Sequence, residues 1–146
     1  MPVRPIPDNT STVIPYLVVS NAGRLIDFLK QAFDAKEMHR SSMPDGSVMH
    51  AHVRIGDSSV MLGQAPAGKS PMVSMLYVYV TDVDAVYRRA LDAGASAMAP
   101  VADQFYGDRA GSLKDPAGNE WWIATHKQDL SEEELARRAK AAKQKR

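Results

Sequence analysis

Apolar and polar positions along the chain trace one pattern twice, at an offset of 61 residues. Tyr16-Leu17-Val18-Val19-Ser20-Asn21 falls on Tyr77-Val78-Tyr79-Val80-Thr81-Asp82, and Val60-Met61-Leu62 falls on Trp121-Trp122-Ile123. Each copy opens with a short strand, passes a polar turn, and continues with apolar residues at helical spacing. Leu25, Phe28, Leu29, Ala32 and Phe33 line one face of the first helix; Val83, Val86, Tyr87, Ala90 and Leu91 line one face of the second. Asn21 and Asp82 stand at the helix starts, where a short polar side chain accepts an otherwise unpaired backbone N–H. Gly94 closes the second helix, where a left-handed cap is needed. Three strands then follow in each copy, divided by turn signals such as Pro44-Asp45-Gly46, Gly56-Asp57-Ser58 and Asp115-Pro116-Ala117-Gly118-Asn119. The predicted fold is α+β: two tandem βαβββ modules, residues 12–64 and 73–126, forming a cupped mixed sheet and joined by the Pro/Gly-rich linker 65–72. Ser131-Glu132-Glu133-Glu134 reads as a capping box, with Ser131 as the cap and Glu134 reaching back, and starts a C-terminal helix over 131–146.

Side-chain alternation sorts each strand between two faces. In the opening strand of the second module Leu76, Val78 and Val80 point one way, and Met75, Tyr77 and Tyr79 the other. In the first module Leu17 and Val19 take the helix side, opposite Ile14, Tyr16 and Val18. Over Val48–Ile55 the alternation puts Met49, Ala51, Val53 and Ile55 on one face and His50, His52 and Arg54 on the other. Val60, Leu62, Trp121 and Ile123 fit the helix side, which turns Met61 and Trp122 away from it. Two such sheets, with helices behind them, are expected to oppose their mixed faces and enclose an aromatic pocket holding two histidines and an arginine.

Composition narrows the function classes. A chain of 146 residues, 45% hydrophobic and 24% charged, suits one globular domain with a real core. It has no cysteine, which excludes disulfides, thiolate metal sites and thiol nucleophiles. Nothing from Met1 to Pro15 resembles the apolar core of a signal peptide, and no apolar run approaches the ~18 residues of a membrane span. A soluble, cytoplasmic protein with no membrane partner is expected. The net charge of +1 is unevenly spread: residues 131–146 hold six of the eighteen bases and three of the seventeen acids, a net +3 that leaves −2 on the rest. The body therefore lacks the basic face of a nucleic-acid binder, and no nucleic-acid partner is expected.

The repeat, together with Val48-Met49-His50-Ala51-His52-Val53-Arg54-Ile55-Gly56-Asp57-Ser58, Phe105-Tyr106-Gly107-Asp108-Arg109 and Asp115-Pro116-Ala117-Gly118-Asn119-Glu120-Trp121, resembles the vicinal oxygen chelate superfamily. This is the glyoxalase/bleomycin resistance protein/dioxygenase group, and the resemblance covers about residues 12–128. Within it the motifs look like a glyoxalase-like subgroup similar to the phosphonate-operon B protein. The resemblance implies paired modules, a cupped sheet around a ligand site, and a homodimer. It also implies that metal-using members take four ligands from the first and last strands of both modules, positions held here by Ile14, Met61, Met75 and Trp122. None of these side chains supplies the imidazole or oxygen donor that a divalent ion wants. Neither metal nor cofactor is expected.

Candidate residues follow from the mixed faces. Tyr16, Tyr77, Tyr79 and Trp122 offer flat walls to a planar ligand, or else fill space between sheets. Met61 and Met75 would form a soft, adaptable floor. His50 and His52 are the candidates for general-base work, because imidazole titrates near neutral pH; hydrogen-bonded pocket histidines beside Arg54 are the plainer reading. With a third ligand from Gln64, Glu120 or His126 the pair would hold a metal. Tyr106 and Arg109 complete the ligand-binding set; Arg109 has the donor fork to reach a carboxylate, and a structural salt bridge with Asp108 is its commoner role. The expectation is a metal-independent protein that binds and sequesters a flat aromatic or anionic small molecule. The alternative is a lyase, isomerase or dioxygenase-like enzyme using His50 and His52, with or without a divalent metal.

Overall fold

The computed structural model describes residues 2–144. Its first module runs β1 (Tyr16–Val19), α1 (Ala22–Phe33), β2 (Lys36–Ser42), β3 (Val48–Ile55) and β4 (Ser58–Gln64). The second repeats the order as β5 (Met75–Tyr79), α2 (Val83–Asp92), β6 (Ser96–Asp103), β7 (Asp108–Lys114) and β8 (Glu120–His126), and α3 (Glu132–Gln144) follows. Lys145 and Arg146, the expected end of α3, lie outside the described residues. The fold is α+β with two tandem modules and a C-terminal helix.

Each module builds its own four-stranded sheet, in the orders β1-β4-β3-β2 and β5-β8-β7-β6. In both, the opening strand lies parallel to the last, while the other pairings are antiparallel. The register keeps the offset of the sequence repeat, with Tyr16 beside Met61 and Tyr77 beside Trp122. Asn21 and Asp82 cap the two helices, accepting from the Arg24 and Ala85 N–H groups at 3.1 and 3.2 Å. Ser131 caps α3 through the Glu134 N–H, also at 3.1 Å. The Glu134 carboxylate does not reach back as expected. It is taken by Arg137 and Arg138, whose charge-assisted bonds outcompete one to a neutral backbone N–H and hold its pKa at about 2.

The two modules share one hydrophobic core, because their helix-backed sides meet. α1 packs on α2, the Phe33 ring lies 4.9 Å from that of Trp121, and the Arg89 guanidinium donates to the Ala32 carbonyl at 3.0 Å. Leu17, Leu25, Leu29, Leu62, Leu113, Trp121 and Ile123 are at most 1% exposed, so apolar surface from both halves leaves water together. Trp121 is anchored as well as packed: its indole N–H donates to Asp115 at 2.9 Å. The same carboxylate accepts from the Ala117 and Asn119 N–H groups at 2.8 and 3.0 Å, which folds the Asp-Pro-Ala-Gly-Asn turn around it.

Joining through the helix sides leaves the other face of each sheet open. Met75, Tyr79, Met49 and Tyr16 are 64, 61, 51 and 48% exposed. The aromatic pocket expected between two opposed faces is therefore not enclosed by one chain. Met49 is a second correction. Ser41 pairs with His50 and Ser42 with Val48, so Met49 is the extra residue of a β-bulge, and the strict alternation that assigned it to the core side breaks there.

Candidate functional site

On the first module the open face carries Tyr16 from β1, Met61 from β4, His50, His52 and Arg54 from β3, and His39 from β2. Register explains the grouping: Tyr16, Met61, His52 and His39 stand side by side across four strands. The Tyr16 ring stacks on His50 with centroids 5.6 Å apart and planes 22° apart, and its hydroxyl is hydrogen-bonded to His50 Nδ1 at 3.1 Å. Gly63 makes room for this pair, since a Cβ there would lie 2.6 Å from the Tyr16 hydroxyl and 2.6 Å from the Met49 carbonyl oxygen. A groove of about 850 Å³ opens beside the pair, walled by Met43, Met49 and the linker residues Ala65–Ala67. His52 stands deeper, its Nε2 buried with no hydrogen-bond partner. Burial pushes its imidazole toward the neutral form, and the charges of Arg54, His50 and His39 push the same way. Arg54 itself donates to the Asn9 carbonyl, in the segment leading into β1.

On the second module the open face is organised around a buried carboxylate. Asp108, 4% exposed, accepts from the Tyr77 and Tyr79 hydroxyls at 2.7 and 2.9 Å and is bonded to His126 Nδ1 at 2.9 Å. Burial would raise its pKa, but the bonds from His126, Tyr77 and Tyr79 together hold it below the usual aspartate range. His126, bonded to Asp108 and through Nε2 to Asp129 at 2.7 Å, is raised. Both tyrosines are raised too, Tyr77 chiefly by burial and Tyr79 by its bond to Asp108. Tyr106 reaches the Tyr77 hydroxyl at 3.4 Å.

The structure thus divides the sequence-derived candidates. Tyr16, His50, His52, Arg54 and Met61 lie on the first open face, and Met75, Tyr77, Tyr79, Tyr106 and Trp122 on or beside the second. Arg109 belongs to neither. Its partner in register is Thr125, which places it on the helix side of the sheet, where Asp84 of α2 takes two of its nitrogens at 2.9 and 3.0 Å and Asp103 a third at 3.3 Å. The expected Asp108–Arg109 bridge cannot form, because neighbours along a strand point to opposite faces. Asp108 and His126 were the residues missed as a pair. Trp122, Ala124 and His126 share one parity, so alternation could have placed His126 on this face; Asp108 is found only through the register that sets it opposite His126.

A divalent metal does not fit the positions that metal-using relatives would employ. Ile14, Met61 and Met75 offer no nitrogen or oxygen donor, and Trp122 offers only an N–H. Among the described residues no three His, Asp or Glu side chains converge to hold an ion. His126, weighed as a third ligand for His50 and His52, stands on the other sheet, bonded to carboxylates.

The family model of the Glyoxalase/Bleomycin resistance protein/Dioxygenase superfamily matches residues 11–123. Among curated proteins, the uncharacterized protein Mb0911c of Mycobacterium bovis is 39% identical over 132 residues, spanning 83% of this chain and 87% of that one. The uncharacterized protein Rv0887c of Mycobacterium tuberculosis is likewise 39% identical over 132 residues, 83% of this chain and 78% of its own. Among solved structures, TioX from Micromonospora sp. ML1 superposes with a TM-score of 0.69 at 24% identity, covering 80% of this chain and 98% of TioX. A glyoxalase-related enzyme from Fulvimarina pelagi gives 0.65 at 16% identity, covering 80% and 88%. At these identities the solved structures share the fold alone.

Proposed function

The chain belongs to the glyoxalase/bleomycin resistance protein/dioxygenase superfamily, and from that premise we propose that it binds a flat, aromatic or anionic small molecule reversibly and without a metal. The observation that carries the reading is the Tyr16–His50 pair at the wall of the first module's groove. A π-face held by a hydrogen bond offers stacking, the methionines adapt to an uneven outline, and the His50 imidazole at the groove wall offers an N–H to a negative group. Tight binding with release of an unchanged compound is sequestration. In this reading the protein acts in the cytoplasm as a homodimer, in the subgroup similar to the phosphonate-operon B protein; the exposed Met72, Val73 and Met75 are apolar surface that a second copy would cover.

An enzyme, whether lyase, isomerase or dioxygenase-like, is the second reading. The Tyr16 bond favours it, because it fixes the His50 ring as a general base requires. One experiment separates the two. Calorimetric titration with 2-naphthoate, a planar anion, should show saturable binding, weakened at least about tenfold by Tyr16→Ala and by His50→Ala, with the probe recovered intact. Absence of binding would overturn the proposal, and conversion of the probe would favour the enzyme.

A further inference from the structure

A cleft of about 490 Å³ lies where the modules meet, apart from the groove that holds His50. One wall is the edge strand β5, with Tyr77 and Tyr79; the other is the β3–β4 turn, with Asp57 and Ser58, and Ser11 of the segment before β1. Its lining contains one carboxylate and no Lys, Arg or His. That is the opposite of the first open face, where His39, His50, His52 and Arg54 gather.

The two tyrosines are unlike ordinary surface aromatics. Their rings are 5.3 Å apart with planes tilted by 59°, which makes a wedge with two π-faces. Both hydroxyls donate to one oxygen of Asp108, at 2.7 and 2.9 Å, so the rings are held in place. Hydrogen bonding to a carboxylate also pushes electron density into a phenol ring and deepens the negative potential over its face. Asp108 supplies a fixed negative charge close behind the rings. When His126 carries a proton it offsets that charge, and Asp129 on the far side of the imidazole restores it.

We propose that this cleft binds a small organic cation of the quaternary-ammonium class, seated on the Tyr77–Tyr79 wedge and facing Asp57. Such cations are attracted to the face of an aromatic ring and need no directed hydrogen bond. They are weakly hydrated, so entering an apolar cleft exposes little desolvation cost, and Leu76, Val78 and Val13 supply contact for the methyl groups. The site is independent of the reading of the first groove: 2-naphthoate reports on that groove and choline on this cleft, so either can fail alone.

The test is a titration with choline against 3,3-dimethylbutan-1-ol, which has the same shape and no charge, followed by backbone amide shifts in residues 55–60 and 76–79. Choline is expected to shift these amides saturably and to bind at least about tenfold tighter than the alcohol. Tyr79→Leu should reduce choline affinity about tenfold; Tyr79→Phe, which keeps the ring, should retain most of it. Tyr79 is 61% exposed, so neither change threatens the core. Asp57→Asn, in an exposed turn, gives a second measure and should weaken choline while sparing the alcohol. Equal binding of choline and the alcohol, unchanged affinity in Tyr79→Leu and Asp57→Asn, or no saturable shift would each overturn the proposal.

Discussion

Replacing Asp115 by Ala removes the acceptor around which the last turn and Trp121 are arranged. The carboxylate takes the Ala117 N–H, the Asn119 N–H, the Asn119 side-chain amide at 3.1 Å and the Trp121 indole N–H. Ala117 is half-buried and finds water when the acceptor goes. Asn119 and Trp121 are 0 and 1% exposed and do not. Each buried donor left without a partner costs ~1–3 kcal/mol, so the three of them, the Asn119 backbone N–H, its side-chain amide and the Trp121 indole, amount to about 6 kcal/mol. That is a large part of the ~5–15 kcal/mol that holds a domain of this size together. At roughly 3 °C per kcal/mol the melting temperature should fall by about 18 °C. Trp121→Phe deletes one of the orphaned donors along with part of a packed ring, and alone should cost about 2 kcal/mol. In the double variant the indole is no longer stranded, so the loss should fall short of the sum by about 1–2 kcal/mol. Urea denaturation followed by far-ultraviolet circular dichroism measures all three, provided the slope with denaturant is unchanged. A cost below about 1 kcal/mol for Asp115→Ala, or strict additivity, would refute the argument that this carboxylate holds Trp121 in the core.

Gly63→Ala should cost about 1–3 kcal/mol and weaken 2-naphthoate, because the new Cβ displaces Tyr16 from His50 against backbone that cannot give way; a thermal melt with and without the probe checks both. The folded-state pKa of His126 is raised above its unfolded value, so its contribution is complete below about pH 6 and is lost as pH rises through the folded value. Urea midpoints should therefore fall for the wild type between about pH 6 and 8.5, and less so for His126→Gln; parallel curves would contradict it. Asp108 is lowered, so its contribution is present above about pH 4 and disappears as pH falls through the folded value; Asp108→Asn should flatten that acid limb of the stability profile.

Much of the fold was legible along the chain because its signals are local. Alternation and helical spacing are set by the geometry of the strand and the helix themselves, so the duplicated pattern gave the element order, the helix faces and the caps at Asn21 and Asp82. The same reasoning separated Trp121 from Trp122, since only one parity agrees with Val60, Leu62 and Ile123. It broke at Met49, where one inserted residue shifts the phase and nothing in the local sequence marks the insertion.

Parity states which side of its own sheet a residue occupies, and that much the sequence determined by itself: an aromatic face on each module, histidines on the first, no donors at the four metal positions. Which surfaces then meet is a property of the whole chain. Packing joined the modules through α1, α2 and the Phe33–Trp121 contact, leaving both aromatic faces open and dividing the candidate residues between them. Register decided that Asp108 would stand opposite His126 and beneath two tyrosines, and that Arg109 would turn to Asp84. These pairings link residues 18 to 31 positions apart along the chain. Charge and shape draw them together only after the strands have aligned, and no short-range pattern encodes the alignment.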